Sequence, residues 1–315
     1  MAATPLQFLP QPQPRPWGGR RLDGLPGRHL PADAIPYGES WDLVDRSERQ
    51  SQLIEAWQGA ETLHDLWTRH RRQVFGDDLA DHPAPRFPLL CKLLDTTQML
   101  SLQVHPNGLG SGAEPKEECW WVLEAGADST LLAGFKAKPS SELLTDSIQR
   151  GNLAALMAEH RPKAGDFMQV HAGTVHAIGP NLLIAEIQQN SDCTYRLHDW
   201  GRVDAQGRAR ELHLSHGLQA IDPNLPCPVL QSLAASTGDL LRGRHYQLRR
   251  AMGQAALGVE GEMLIILASD GDLRIGQEWV LPYAQWAIIP ACMQQAKRRA
   301  SGNGWLEIRL PLQRC

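Results

Sequence analysis

Apolar and polar positions alternate with a period of two along several short stretches of the chain. Leu100, Leu102 and Val104 interleave with Ser101, Gln103 and His105, which predicts a strand with one apolar and one polar face. Runs at 120–123, 166–170, 182–188 and 263–267 predict further strands. Turn residues punctuate them: Gly165, Gly173, Gly179-Pro180, Gly261 and Gly271. Helical spacing appears twice. Residues 61–75 place Leu63, Leu66, Trp67, His70 and Val74 on one face. Residues 140–160 follow a Pro-Ser-Ser-Glu start and carry Leu143, Leu144, Ile148, Leu153, Leu156 and Met157, with Gly151-Asn152 predicted to split them into two helices. Neither helix carries a chemical motif, so both are expected to cover a sheet. Many short strands with such punctuation predict a mainly β fold, a barrel or sandwich.

Near 222–228 the chain reads Asp-Pro-Asn-Leu-Pro-Cys-Pro, a linker signal. This predicts a first domain over 1–222 that includes the helical segments, and a smaller β module over 229–315 without metal ligands; its stretch 261–291 contains no His. A chain of 315 residues is long enough for this division. The net charge of -4 argues against a nucleic-acid partner bound through bulk positive charge. No apolar run approaches the roughly 20 residues of a membrane span, and the Pro- and Gln-rich start does not read as a secretory signal. The six cysteines form no CxxC pair. They are expected to be reduced thiols of a cytoplasmic protein.

The candidate chemistry lies in the first 200 residues. Gln103 and His105 are two apart on a strand and share a face. Glu118 and Trp120 share a face of the next strand, with Lys116 just before it. Gly165 to Asn181 follows the second cupin motif, with His176 at the head of a strand after the turn at Ala172-Gly173; His171 replaces the motif's Pro and Asn181 comes one position late. Two His, a carboxylate and an amide make a mixed N/O metal site. Zinc suits it, manganese, iron or cobalt could occupy it in vitro, and two His with one carboxylate also compose an iron(II) oxygenase triad. Asp192, Arg196, Asp199 and Arg202 follow, and with Lys116 they suggest an anionic, polyhydroxylated ligand. The run Gly108-Leu-Gly-Ser-Gly112 reads as a loop rather than a phosphate nest.

Taken in order, these segments resemble the class I mannose-6-phosphate isomerases in their short bacterial form. The resemblance rests on Pro16-Trp-Gly-Gly19, Gly38-Glu-Ser-Trp41, Phe87-Pro-Leu-Leu90 with Lys92, Leu100-Ser-Leu-Gln-Val-His-Pro106 and Lys116-x-Glu-x-Trp120. It continues through Ala172-Gly-Thr-Val-His-Ala-Ile178, Glu186-Ile-Gln-Gln189, Ser191-Asp-x-Thr-Tyr-Arg196, Asp199-Trp-Gly-Arg202 and Arg210-Glu-Leu-His213. It implies tandem cupin (jelly-roll) modules with a helical segment, one zinc ion on Gln103, His105, Glu118 and His176, a catalytic Arg196, and Lys116 and Asp192 as substrate-directed residues. It further implies a sugar-phosphate substrate and a monomer or homodimer. Trp121, His171, Asn107-Gly108 and His198 depart from the family pattern beside the site rather than at the ligands. A sugar-binding cupin without catalysis and an iron-dependent cupin dioxygenase are the rival readings; the joint presence of Arg196, Lys116, Asp192 and all four ligands weighs against both.

Overall fold

The computed structural model describes residues 3–108, 113–204, 206–233 and 235–311. Residues 109–112 of the glycine-rich run, and Cys315, lie outside them. Three antiparallel sheets dominate. The first has seven strands in the order Gln11–Gly19, Tyr37–Leu43, Leu89–Thr96, Leu182–Gln189, Glu118–Ala125, Asp166–Val170 and Gln231–Ser232. The second runs Tyr195–His198, Leu102–Val104, His176–Ile178, Leu131–Phe135 and Met157–His160. The third is built after residue 237, from Gly238–Arg242, Gln247–Ala256, Arg299–Arg309, Leu264–Asp270 and Trp286–Ile289, with two short strands off this path. The expected mainly β architecture is present, and each predicted strand falls on an observed one.

The first sheet is covered on both faces, which explains why its central strands read as continuous apolar runs rather than a clean alternation. Leu89, Cys91 and Leu93 join the same core as Leu183, Ala185 and Ile187 of the neighbouring strand. That core also takes in Trp67, Phe75 and Phe87 from the helical region and Leu248, Ile265, Ile288 and Leu306 from the third sheet. The opposite face contributes Leu94, Trp120, Val122, Leu182 and Ile184, which meet Leu131, Ala133 and Ile178 of the second sheet. The residues 222–228 form no strand or helix, and they do not hang free: Asp222 N–H donates to Gly173 O at 3.0 Å. Just beyond them, Gln231–Ser232 adds the last strand of the first sheet.

The helices differ from expectation in two places. The first helix begins after Thr62, because Thr62 and Asp65 form a reciprocal capping box there. It breaks at His70 into Leu63–Arg69 and Arg71–Phe75. In the second region the helix is Ser141–Gln149, capped by Ser140, and Gly151 with φ +68° turns the chain out of it. The expected second helix is absent. Leu153–Leu156 is a single 3-10 turn, and Met157–His160 is a strand paired with Leu131–Phe135. Too few residues remain after the turn for a stable helix, and an edge strand satisfies their backbone groups. Leu144, Ile148, Leu153 and Met157 cover Leu102, Val104 and Ala177 of the second sheet.

Candidate metal centre and its polar floor

The period-two geometry of the first sheet sets a row of charged side chains on its inner face. In Leu89–Thr96 the odd positions feed the outer core, which leaves Lys92 and Leu94 inside. In Leu182–Gln189 the same parity leaves Glu186 inside, directly opposite Lys92 in the ladder and opposite Trp120 on the other side. Glu118 opens the next strand, two residues before Trp120. The second sheet supplies the facing wall. Gln103 pairs with His176 on one neighbour and with Arg196 on the other, so the three stand side by side. His105 follows immediately after the Leu102–Val104 strand. The turn to His176 depends on Gly173, whose φ of +91° favours glycine and whose N–H donates to His105 O at 2.9 Å.

His105, Glu118 and His176 come together, all buried, with one ligand atom from each lying within 4.8 Å of the others. His105 Nε2 is 3.2 Å from Glu118 Oε2, and His176 Nε2 is 3.4 Å from Glu118 Oε1. The Nδ1 atom of each histidine donates to a backbone carbonyl: His105 to Cys193 O at 3.1 Å and His176 to Thr174 O at 2.9 Å. Those bonds fix the tautomer and leave the Nε2 lone pairs turned into the site, the arrangement of metal-binding histidines. Trp120 Nε1 donates to Glu118 Oε1 at 3.2 Å, while Glu118 Oε2 has no hydrogen bond of good geometry despite being buried. A buried orphan carboxylate oxygen beside two oriented lone pairs is a donor set made for a cation. Lys116 shows the attraction: its Nζ is 3.0 Å from Glu118 Oε2 and 3.1 Å from His105 Nε2. Gln103 Nε2 lies 3.2 Å from His176 Nε2, and its Oε1 accepts from Ser101 Oγ at 3.2 Å.

Electrostatics keep the three groups in ligand form. Burial, reinforced by the Lys116 charge, lowers His105 to about 3, and burial lowers His176 as well, so both rings are neutral near pH 7. Burial alone would raise Glu118, but Lys116, His105 and His176 together hold it well below the usual carboxylate range. Neutral imidazoles and an ionised carboxylate are the protonation states that bind metal.

Beside this group lies a second buried cluster that the sequence reading left unassigned. Lys92 Nζ is 2.9 Å from Glu186 Oε1, and Lys116 Nζ is 3.9 Å from the same oxygen. Glu39 accepts both arms of Arg15, at 2.9 and 3.0 Å, and the Trp41 indole N–H at 2.6 Å. Burial and the Glu118 charge raise Glu186 to about 7, against the opposing pull of Lys92 and Lys116. Burial would raise Glu39 too, yet Lys92 and Arg15 bring it down to about 2. Local pattern does not single out Lys92 or Glu186, because the Lys92 strand also carries Asp95 on the opposite parity and the Glu186 strand ends in Gln188-Gln189.

Arg196 stands next to Gln103, donates from Nη1 to Glu211 O at 2.7 Å, and keeps a buried Nε without a partner. Asp192 is exposed, and among the described residues no hydrogen bond ties it to the His105–Glu118–His176 group; its charge acts on Arg15. Its neighbour Cys193 supplies the carbonyl that orients His105. Among the described residues no other His, Cys, Asp and Glu group has metal-binding geometry. In the third sheet the corresponding interior is filled by Leu264, Ile266, Leu273, Ile289 and Trp305.

Residues 6–127 match the family described as phosphomannose isomerase type I, catalytic domain. The mannose-6-phosphate isomerase ManA of Bacillus subtilis is 36% identical over 298 residues, which is 90% of this chain and 91% of that one. A mannose-6-phosphate isomerase of Streptococcus mutans is 36% identical over 228 residues, 71% of this chain and 70% of that one. The crystal structure of the mannose 6-phosphate isomerase from Bacillus subtilis superposes with a TM-score of 0.81 at 27% identity, covering 97% of this chain and 99% of that one. The fold, the buried His105–Glu118–His176 group and these relatives agree, and the chain belongs to the type I phosphomannose isomerase family.

Proposed function

We propose that this chain interconverts mannose 6-phosphate and fructose 6-phosphate. The observation that carries the reading is the buried His105–Glu118–His176 group with Lys116 at its edge, in a chain of this family. His105, Glu118 and His176 would hold one zinc ion, with Gln103 as a fourth ligand once its amide turns to present the carbonyl oxygen. Bound there, the metal would polarise the sugar oxygens.

The remaining steps fall to the chain's own side chains. Isomerisation moves a proton from C2 to C1 of the open-chain sugar. Loss of the C2 proton forms the C1=C2 enediol as O1 gains a proton; return of a proton to C1 forms the ketone as O2 loses one. Glu186 suits the carrier, because its buried carboxylate lies between the Lys92 and Lys116 ammonium groups beside the His105–Glu118–His176 group, where it can take a proton from one carbon and return it to the other. Lys116 and Lys92 place positive charge beside the developing enediolate oxygens. Arg196, with its unpartnered Nε, offers a planar fork for the phosphate, and Asp192 at the rim orients a sugar hydroxyl. The apolar interior of the third sheet supports reading the C-terminal β module as structural, although Gln231–Ser232, inside the expected 229–315, pairs with the first sheet. The free cysteines among the described residues and a phosphorylated substrate support a cytoplasmic setting. The test is formation of fructose 6-phosphate from mannose 6-phosphate by the zinc-loaded protein, followed through a coupled dehydrogenase. Turnover lost in Lys116→Met and Arg196→Ala supports the roles; full turnover in both removes them.

A further inference from the structure

Eight of the ten tryptophans are buried or lie elsewhere on the molecule; the other two, Trp57 and Trp279, are half-buried and line one cavity of about 550 Å³. This cavity shares no residue with the metal centre. It is walled by the N-terminal segment, the Gln52–Trp57 strand, the helix Arg71–Phe75 and the third sheet's part of the chain. The N-terminal segment is stitched on both sides: Leu6 N–H donates to Ile288 O at 2.8 Å, and Ile54 N–H donates to Gln7 O at 2.9 Å. Cys292 N–H donates to Gln73 O at 3.0 Å and closes the third wall. The concavity is therefore held by backbone bonds rather than by mobile side chains.

Its lining has a consistent chemistry. Two indoles supply apolar faces, and neither indole N–H has a hydrogen-bond partner among the described residues. Gln7, Gln58 and Gln73 supply amides, and Thr4 a hydroxyl. Glu55 is the one charged lining residue, and no Lys or Arg lines the cavity among the described residues. An anion finds no counter-charge there, so a sugar phosphate is disfavoured. A purely apolar ligand would strand the amides. Aromatic faces combined with uncharged donors and acceptors fit a ring that is apolar on its C–H face and hydroxylated at its edge. We propose that this cavity is a second, non-catalytic site for a neutral saccharide, stacked on Trp57 and Trp279 and hydrogen-bonded by the glutamines.

Cys292 lines the same cavity and reports its occupancy. The full-length, zinc-loaded protein is alkylated with iodoacetamide and each cysteine is read by peptide mass, with mannose, mannotriose or the uncharged apolar probe N-phenyl-1-naphthylamine present. A ligand at ten times its Kd leaves about one site in eleven open, so saturating mannotriose should slow Cys292 roughly ten-fold. Cys227, exposed elsewhere, serves as the internal reference and should not change. Trp57→Ala should abolish the protection while leaving isomerase turnover intact; Gln73→Ala, which leaves both indoles in place, should weaken it several-fold. The inference is overturned if neither saccharide slows Cys292 up to its solubility limit, if only the apolar probe protects, or if protection survives in both variants.

Discussion

Replacing Glu186 by Gln should make the metal-free protein less sensitive to pH, and the direction is opposite to that for an ordinary broken ion pair. Glu186 Oε1 lies 2.9 Å from Lys92 Nζ. At an effective dielectric constant of about 20 that contact is worth roughly 6 kcal/mol of gross attraction. Burial and repulsion from Glu118 nevertheless raise Glu186 from 4.5 to about 7. That difference corresponds to about 3 kcal/mol favouring the protonated acid. Desolvation and repulsion therefore exceed the attraction, and Lys92 retains Glu39 as a second counter-charge. An acid whose folded value lies above its unfolded one stabilises the fold most below 4.5 and loses that contribution as pH rises through 7. Gln does not titrate. From pH 4.5 to 8, the stability difference should therefore shift by about 3 kcal/mol toward Glu186→Gln. Urea denaturation of both proteins in EDTA at pH 5 and pH 8 measures the shift. A variant that instead loses a further 3–5 kcal/mol at pH 8, as when a buried charge is stranded, would show that Lys92 depends on an ionised Glu186 and that the carboxyl is not raised. In the zinc-loaded enzyme the same change should lower kcat by about 10²–10⁴ through loss of the proton carrier.

Trp120→Phe removes the indole bond to Glu118 and should weaken zinc binding by about 10–100-fold while activity returns at saturating zinc; chelator competition measures the loss. Arg196→Lys keeps the charge but not the planar fork, and kcat/KM should fall at least about a hundred-fold in the coupled assay. Gly38→Ala sets a Cβ 2.4 Å from the Trp17 ring and 2.8 Å from the Arg15 Cβ, an overpacking of about 1–3 kcal/mol that a thermal melt should report as a lowered Tm.

The candidate metal ligands were the most legible part of the site. Gln103 and His105 on one strand face, Glu118 two before Trp120, and His176 after a glycine turn each follow from local spacing, and the fold brings them together. Lys92 and Glu186 were harder to see. Their strands are buried on both faces, so nothing in the pattern marks one parity as site and the other as core until the third sheet is seen covering the outer face. The failed helix at 153–160 has a similar origin: its apolar spacing suits a helix, but the neighbouring edge of Leu131–Phe135 offers backbone pairing that local propensity cannot register. Asp192 shows the converse. The resemblance placed it among substrate-directed residues, and the structure shows it exposed, next to Cys193, whose carbonyl orients His105.

If His105, Glu118 and His176 hold the metal on which isomerisation depends, zinc content and turnover must rise and fall together. Both are measured on one preparation, as zinc per chain and as the mannose 6-phosphate to fructose 6-phosphate rate, before EDTA, after EDTA, and after zinc is restored. The expected result is about one zinc per chain, loss of turnover with the metal, recovery on its return, and neither zinc nor turnover in His105→Ala with His176→Ala. Undiminished turnover in the metal-free protein, or a stoichiometric zinc in the double variant, would mean that these residues do not hold a catalytic metal.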